Sequence, residues 1–189
     1  MATTTKAMTA EELLRLPDDG QRHELIAGEL RTMTPIGDEH GGIVAILTEA
    51  LRAYVRPHQL GLVRTGEPGF LLARNPDTVR APDVAFVSRE RAQSAGKVTG
   101  YRHGAPDLAI EVVSPGDLYI ELEDKVALWL DHGARMVIVV SPRQQTVAVY
   151  RSRTRVRILT TADTLDGEEV VPGWRMPVAA IFEDELAGG

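Results

Sequence analysis

Glu111 stands in Leu108-Ala-Ile-Glu-Val-Val113, an otherwise apolar run that suits a buried strand. A carboxylate there costs several kcal/mol unless it is paired, protonated or bound to a cation. Asp83 follows Pro82 and opens a second apolar run, Val84-Ala-Phe-Val87. The bland readings are that an Arg or a backbone amide satisfies Glu111 and that Asp83 is a turn residue. The two acids are 28 residues apart, an interval that lets two strands lie side by side and bring both carboxylates to one cation. Lys125 follows Glu111 by 14 residues on a helical pattern. At about 100° per residue, Leu118, Leu122, Val126, Trp129 and Leu130 form one stripe, with Lys125 at its edge. Its partner is either Glu121, one turn earlier, or a carboxylate on the adjoining sheet. Two carboxylates and a lysine suit phosphate-ester hydrolysis. Oxygen ligands select Mg²⁺ or Mn²⁺. The cation polarises the phosphate and activates water, and the ammonium orients that water or balances developing charge.

Two further residues are weaker candidates. Glu24 lies in Arg22-His-Glu-Leu-Ile26, beside a hairpin signal at Ala27-Gly28. His40 falls in the first turn of a long helical pattern, on the face of Ile43 and Leu47, where a histidine is commonly structural. Arg151, Arg153, Arg155 and Arg157 alternate around an expected turn and read either as phosphate contacts or as a solvated hairpin.

The elements that must position these residues are legible in outline. Thr9 and Glu12 form a capping-box pattern opening a short helix before Pro17. Apolar spacing gives a helix from Asp38 to about Tyr54 and another from Asp117 to His132, closed by Gly133. Strands are expected at Gly61–Ala73, kinked at Gly66–Gly69, and at 84–87, 108–113, 136–140, 146–150 and 155–159. Ser88–Gly104 reads as a loop or short helix. The runs 108–113 and 136–140 are apolar on both faces, as in strands covered by helices on two sides. The expectation is an α/β fold, a mixed β-sheet flanked by α-helices, in a single domain spanning residues 1–189. The first six residues and Leu186–Gly189 read as frayed ends.

Composition narrows the function. The chain has 189 residues, 43% hydrophobic and 25% charged, which is a globular balance. A net charge of −6 excludes gripping nucleic acid by bulk positive charge but leaves room for a local basic patch. The absence of cysteine excludes disulfides, thiolate metal sites and thiol nucleophiles. No signal peptide or membrane span is evident, so a cytoplasmic protein is expected.

Several motifs together resemble a known family. Arg22-His-Glu-Leu-Ile-Ala-Gly-Glu29, Ala81-Pro-Asp-Val84, Ile110-Glu-Val-Val-Ser-Pro115 and Glu123-Asp-Lys125 with Gly133 are similar to the Uma-type putative restriction endonuclease family, part of the PD-(D/E)XK nuclease superfamily. The similarity continues through Val147–Arg151 and Val171–Trp174 and covers roughly residues 8 to 183. It implies a restriction-endonuclease-like core and a Mg²⁺-dependent endonuclease acting on DNA, typically as a homodimer. Asp83 would be the Asp of the PD element and Glu111 the acid of the (D/E)XK element. Val113 occupies the third position of that element, where the superfamily has Lys, and the resemblance assigns the lysine role to Lys125. Glu24 matches a further acidic position, and the Val112 carbonyl would be an additional metal ligand. Ile138 and Ser141 depart from residues frequent in relatives. Two other readings compete: a non-cleaving DNA-binding or regulatory protein, and a phosphoesterase acting on a small molecule.

Overall fold

The computed structural model describes residues 7 to 183. The ends expected to fray, residues 1–6 and Leu186–Gly189, lie outside the described residues. Helix α1 (Ala10–Leu14) opens with the expected capping box. Thr9 accepts from the Glu12 N–H, and Glu12 accepts from the Thr9 N–H at 2.8 Å. Strands β1 (Arg22–Ile26) and β2 (Glu29–Met33) follow as an antiparallel hairpin. Both turn residues, Ala27 and Gly28, have positive φ (+49° and +82°), the backbone of a turn that matches strand twist. A Cβ on Gly28 would lie 2.5 Å from the Ala7 Cβ, so the close approach also requires glycine.

Helix α2 (Asp38–Val55) is followed by β3 (Gly61–Thr65), β4 (Phe70–Ala73), β5 (Thr78–Arg80) and β6 (Val84–Ser88). Next come α3 (Arg89–Ala95), β7 (Arg102–His103), β8 (Leu108–Val112), α4 (Tyr119–Asp131) and β9 (Met136–Ser141). The chain closes with β10 (Thr146–Ser152), β11 (Arg155–Leu159), β12 (Thr164–Asp166), β13 (Arg175–Pro177) and a 3₁₀ turn at Ala179–Ile181. Among the described residues, three sheets result. The largest has the order β11-β10-β9-β8-β6-β3, a second has β2-β1-β5-β4-β7, and β12 pairs with β13. The large sheet is mixed, because β8 and β9 are parallel while β6 and β8 are antiparallel.

One expected strand divides. In place of the single kinked strand expected over Gly61–Ala73, β3 pairs with β6 in the large sheet and β4 pairs with β5 in the second. Gly66 and Glu67, both at positive φ, break the strand and let the chain change sheets. The expected α4 stripe also shortens: Val126 and Trp129 are buried, whereas Leu118 precedes the helix and is exposed.

Both faces of the large sheet are covered. On one face, Ile43, Leu47, Leu51 and Val55 of α2 pack on Val84, Phe86, Leu108, Ile110 and Ile138. On the other, Val126 and Trp129 of α4 pack on Ala85, Val87, Ala109, Val137 and Val139. This two-sided cover explains the near-continuous apolar runs of β8 and β9. Trp129 also meets Phe70 of the second sheet edge to face, with centroids 6.1 Å apart. The helix that carries Lys125 is thereby locked against both sheets.

Candidate active site

The β6–β8 ladder positions the two acids. Val84 pairs with Ile110, and Ala85 with Ala109. One residue beyond that pairing, Asp83 and Glu111 stand opposite each other on adjacent strands. Asp83 Oδ2 accepts the Val112 N–H at 2.7 Å. Asp83 Oδ1 lies 3.1 Å from His40 Nε2, and His40 Nδ1 lies 3.0 Å from the Ser114 hydroxyl oxygen. His40 Nε2 donating to Asp83, with Nδ1 paired to the Ser114 hydroxyl, satisfies both contacts. The first turn of α2 and the segment after β8 therefore fix the Asp83 carboxylate between them.

Glu111 is buried, at 2% exposure. Lys125 Nζ donates to its Oε2 at 2.6 Å, and Trp129 Nε1 donates to its Oε1 at 2.7 Å. Residues four apart on a helix share a face, so one side of α4 supplies both donors. Burial pushes the Glu111 carboxyl up to about 7, Lys125 pulls it down and the Asp83 charge adds to the rise. Burial pushes the Lys125 ammonium down, but the Glu111 carboxylate and then that of Glu24 outweigh it, and the net shift is upward. The asymmetry has a simple cause. Lys125 feels two carboxylates, whereas Glu111 has one ammonium to set against complete burial and a neighbouring acid.

Glu24, on β1, is also buried. Its Oε1 accepts the Ala81 N–H at 2.8 Å, and its Oε2 lies 3.1 Å from Arg80 Nε. It braces the segment that leads into Asp83. Glu24, Arg80, Glu111, Val112 and Lys125 line a cleft of 520 Å³ between the β1–β2 hairpin and α4. Asp83 does not line this cleft. Its carboxylate turns toward His40, behind Val112.

Among the described residues, no group of three or more His, Asp or Glu side chains is disposed to hold a metal ion. Mg²⁺ does not require one, because it commonly takes one or two carboxylates and completes its shell with water and phosphate. Asp83 and Glu111 supply hard carboxylate oxygens of the kind such a cation takes, although both are engaged by protein groups here and only Glu111 lines the cleft.

Of the residues singled out from sequence, Glu24, Glu111, Val112 and Lys125 meet at one cleft, and His40 is joined to Asp83. Lys125 pairs with the sheet carboxylate rather than with Glu121. The arginine run does not line the cleft. It flanks the β10–β11 turn, where Arg151 pairs with Glu168 and Glu169, Arg153 with Asp131, and Arg157 with Glu168. Sequence reasoning missed Trp129, which read only as core, and Arg80. The signal for Arg80 was its place immediately before Ala81-Pro-Asp83.

Comparison with solved structures shows that this mixed sheet and its helices form a known α/β fold. The crystal structure, at 1.96 Å, of a putative nuclease belonging to DUF820 from Anabaena variabilis ATCC 29413 superposes with a TM-score of 0.80. It shares 21% sequence identity, over 93% of this chain and 97% of that one. A family model described as Uma2, putative restriction endonuclease, matches residues 10–179, and the chain belongs to that family. No curated protein matches it. Among the described residues, no helix is long and apolar enough to cross a membrane.

Proposed function

We propose that this protein is a metal-dependent endonuclease that hydrolyses DNA phosphodiester bonds. The observation that carries the reading is Glu111, a buried carboxylate on a central strand, opposed to Asp83 and held by Lys125 at 2.6 Å. A buried carboxylate on a central strand is costly, and perturbed titratable groups are common at functional clefts. Asp83, Glu111 and the Val112 carbonyl would hold Mg²⁺ or Mn²⁺. A cation held there would polarise the scissile phosphate and lower the pKa of its water. Lys125 brings a positive charge to the place where charge builds on the phosphate. Glu24, which accepts the Ala81 N–H and pairs with Arg80, braces the segment that leads into Asp83. Family membership supports nucleic acid as the substrate class. A homodimer, so that two sites face two strands, would pair through a sheet edge. Strand β9 is interior, but the edge strand β11 exposes Val156 and Ile158.

The test is incubation of the protein with supercoiled plasmid and with linear single-stranded DNA, in Mg²⁺, Mn²⁺ or EDTA. Asp83→Ala, Glu111→Ala and Lys125→Ala run alongside, with folding checked by circular dichroism. The expected result is cleavage that needs the cation and is lost in all three folded variants. One observation favours the alternative of a non-cleaving DNA-binding protein. Both oxygens of Asp83 and both of Glu111 already have protein partners. DNA binding without cleavage under any cation would select that reading.

A further inference from the structure

Arg80 ends β5, three residues before Asp83. Its side chain is 12% exposed, with Nε 3.1 Å from Glu24 Oε2. That contact is an ion pair without hydrogen-bond alignment, since the buried Nε has no hydrogen-bond partner. Among the described residues, Nη1 and Nη2 make no hydrogen bond either. Arg80 and Glu24 line both the main cleft and a smaller hollow of 230 Å³. The Arg80 charge acts on Lys125, so the two cations share one neighbourhood.

Three cations line the main cleft. Lys125 is engaged by Glu111, and Arg31 is exposed and pairs with Glu29 at 3.2 Å. Arg80 is the mostly buried one whose outer guanidinium edge is uncommitted. A guanidinium whose Nε side faces the Glu24 carboxylate presents its two Nη groups as a flat fork, and that fork matches the paired oxygens of a phosphate. Partial desolvation strengthens such a charge-assisted contact.

We propose that Arg80, held by Glu24, is the phosphate-binding residue of the cleft and takes the non-bridging oxygens of a phosphodiester beside Glu111 and Lys125. The choice of polymer rests on the nuclease reading above; the phosphate chemistry does not. Glu24 is then a positioning residue that aims the fork.

The experiment compares wild type with Arg80→Gln, Arg80→Lys and Glu24→Gln. Arg80→Lys keeps a cation for the buried Glu24 should the neutral variant fold poorly. Two probes are used: a fluorescein-labelled oligonucleotide in Ca²⁺ at several salt concentrations, and inorganic phosphate followed by ³¹P line broadening. Mn²⁺ affinity is measured in parallel. Both Arg80 variants are expected to bind the oligonucleotide at least about tenfold more weakly, with the salt slope of the neutral variant lower by about one. Phosphate broadening is lost, while Mn²⁺ affinity stays within about twofold. Arg80→Lys recovers the salt slope but not the affinity, a split that a merely structural ion pair does not produce. Oligonucleotide and phosphate binding unchanged in a folded Arg80 variant overturns the proposal, even if wild type cleaves DNA. Phosphate binding that depends on Arg80, in a protein that neither binds nor cleaves DNA, overturns the nuclease reading and leaves Arg80 as a phosphate site.

Discussion

Lys125 Nζ lies 2.6 Å from Glu111 Oε2, although one residue belongs to a helix and the other to the middle of a sheet. The connection from β8 into α4 turns back so that the helix lies over its own strand, and residues 14 positions apart become an ion pair. Lys125 is 19% exposed and Glu111 is 2% exposed. The pair therefore stands at the inner wall of the cleft, with only the lysine reaching water.

Removing one partner of a buried pair leaves the other uncompensated, and such losses run to about 3–5 kcal/mol. Lys125→Ala is expected to destabilise the metal-free protein at pH 8 by an amount toward the lower end, because Trp129 still donates to Glu111. Glu111→Gln mimics the protonated carboxyl and is expected to destabilise less than Lys125→Ala at pH 8, while abolishing cation binding. Urea unfolding at pH 8 in EDTA compares them.

Stability of the metal-free protein should fall as the pH rises through neutrality. The folded Glu111 carboxyl titrates at about 7, above the 4.5 of an ordinary glutamate. Protonated Glu111 thus favours the folded state. That contribution is fully present below about pH 4.5 and is lost as pH rises through 7. The shift corresponds to roughly 3 kcal/mol. Stability of wild type minus that of Glu111→Gln, measured between pH 5 and 8, isolates it; a flat difference contradicts the assignment. Lys125, shifted upward, holds its charge throughout this range.

His40 should matter for the cation although it does not line the cleft. His40→Ala removes the partner of Asp83 Oδ1 and leaves the carboxylate held only by the Val112 N–H. Groups that orient a metal ligand typically contribute about 10–100-fold in affinity. A Mn²⁺ titration followed by electron paramagnetic resonance should show a loss in that range. His40→Gln, whose amide nitrogen can still donate, should recover part of it.

The arginine run should contribute little to DNA binding. Three of its four side chains pair with acids of this chain around the β10–β11 turn. Arg153→Ala and Arg157→Ala are expected to change oligonucleotide affinity by less than about twofold, since surface pairs and remote charges act weakly at physiological salt. Fluorescence anisotropy at 150 mM salt checks this, and a tenfold loss in either variant would relocate the nucleic-acid surface to that hairpin.

By itself the sequence determined the helix and strand types wherever periodicity was strong: α2, α4, β8 and β9 each follow from local spacing. It also marked Glu111 as anomalous, because a carboxylate in an apolar run violates burial energetics whatever the neighbours are. The family was readable too, from ordered motifs spread along most of the chain. Only the tertiary structure decided the partners. Whether Lys125 met Glu121 or Glu111 depended on how α4 lies on the sheet, which no helical spacing encodes. That His40 reaches Asp83 across 43 residues, and that Glu24 engages Arg80 and the Ala81 N–H at the wall of the cleft, depends on long-range strand order. The division of Gly61–Ala73 between two sheets likewise turned on two positive-φ residues whose effect is set by which strands lie on either side. Local propensity acts over a few residues, whereas a site is assembled by contacts distant in the chain, and only the packed sheets bring those residues together.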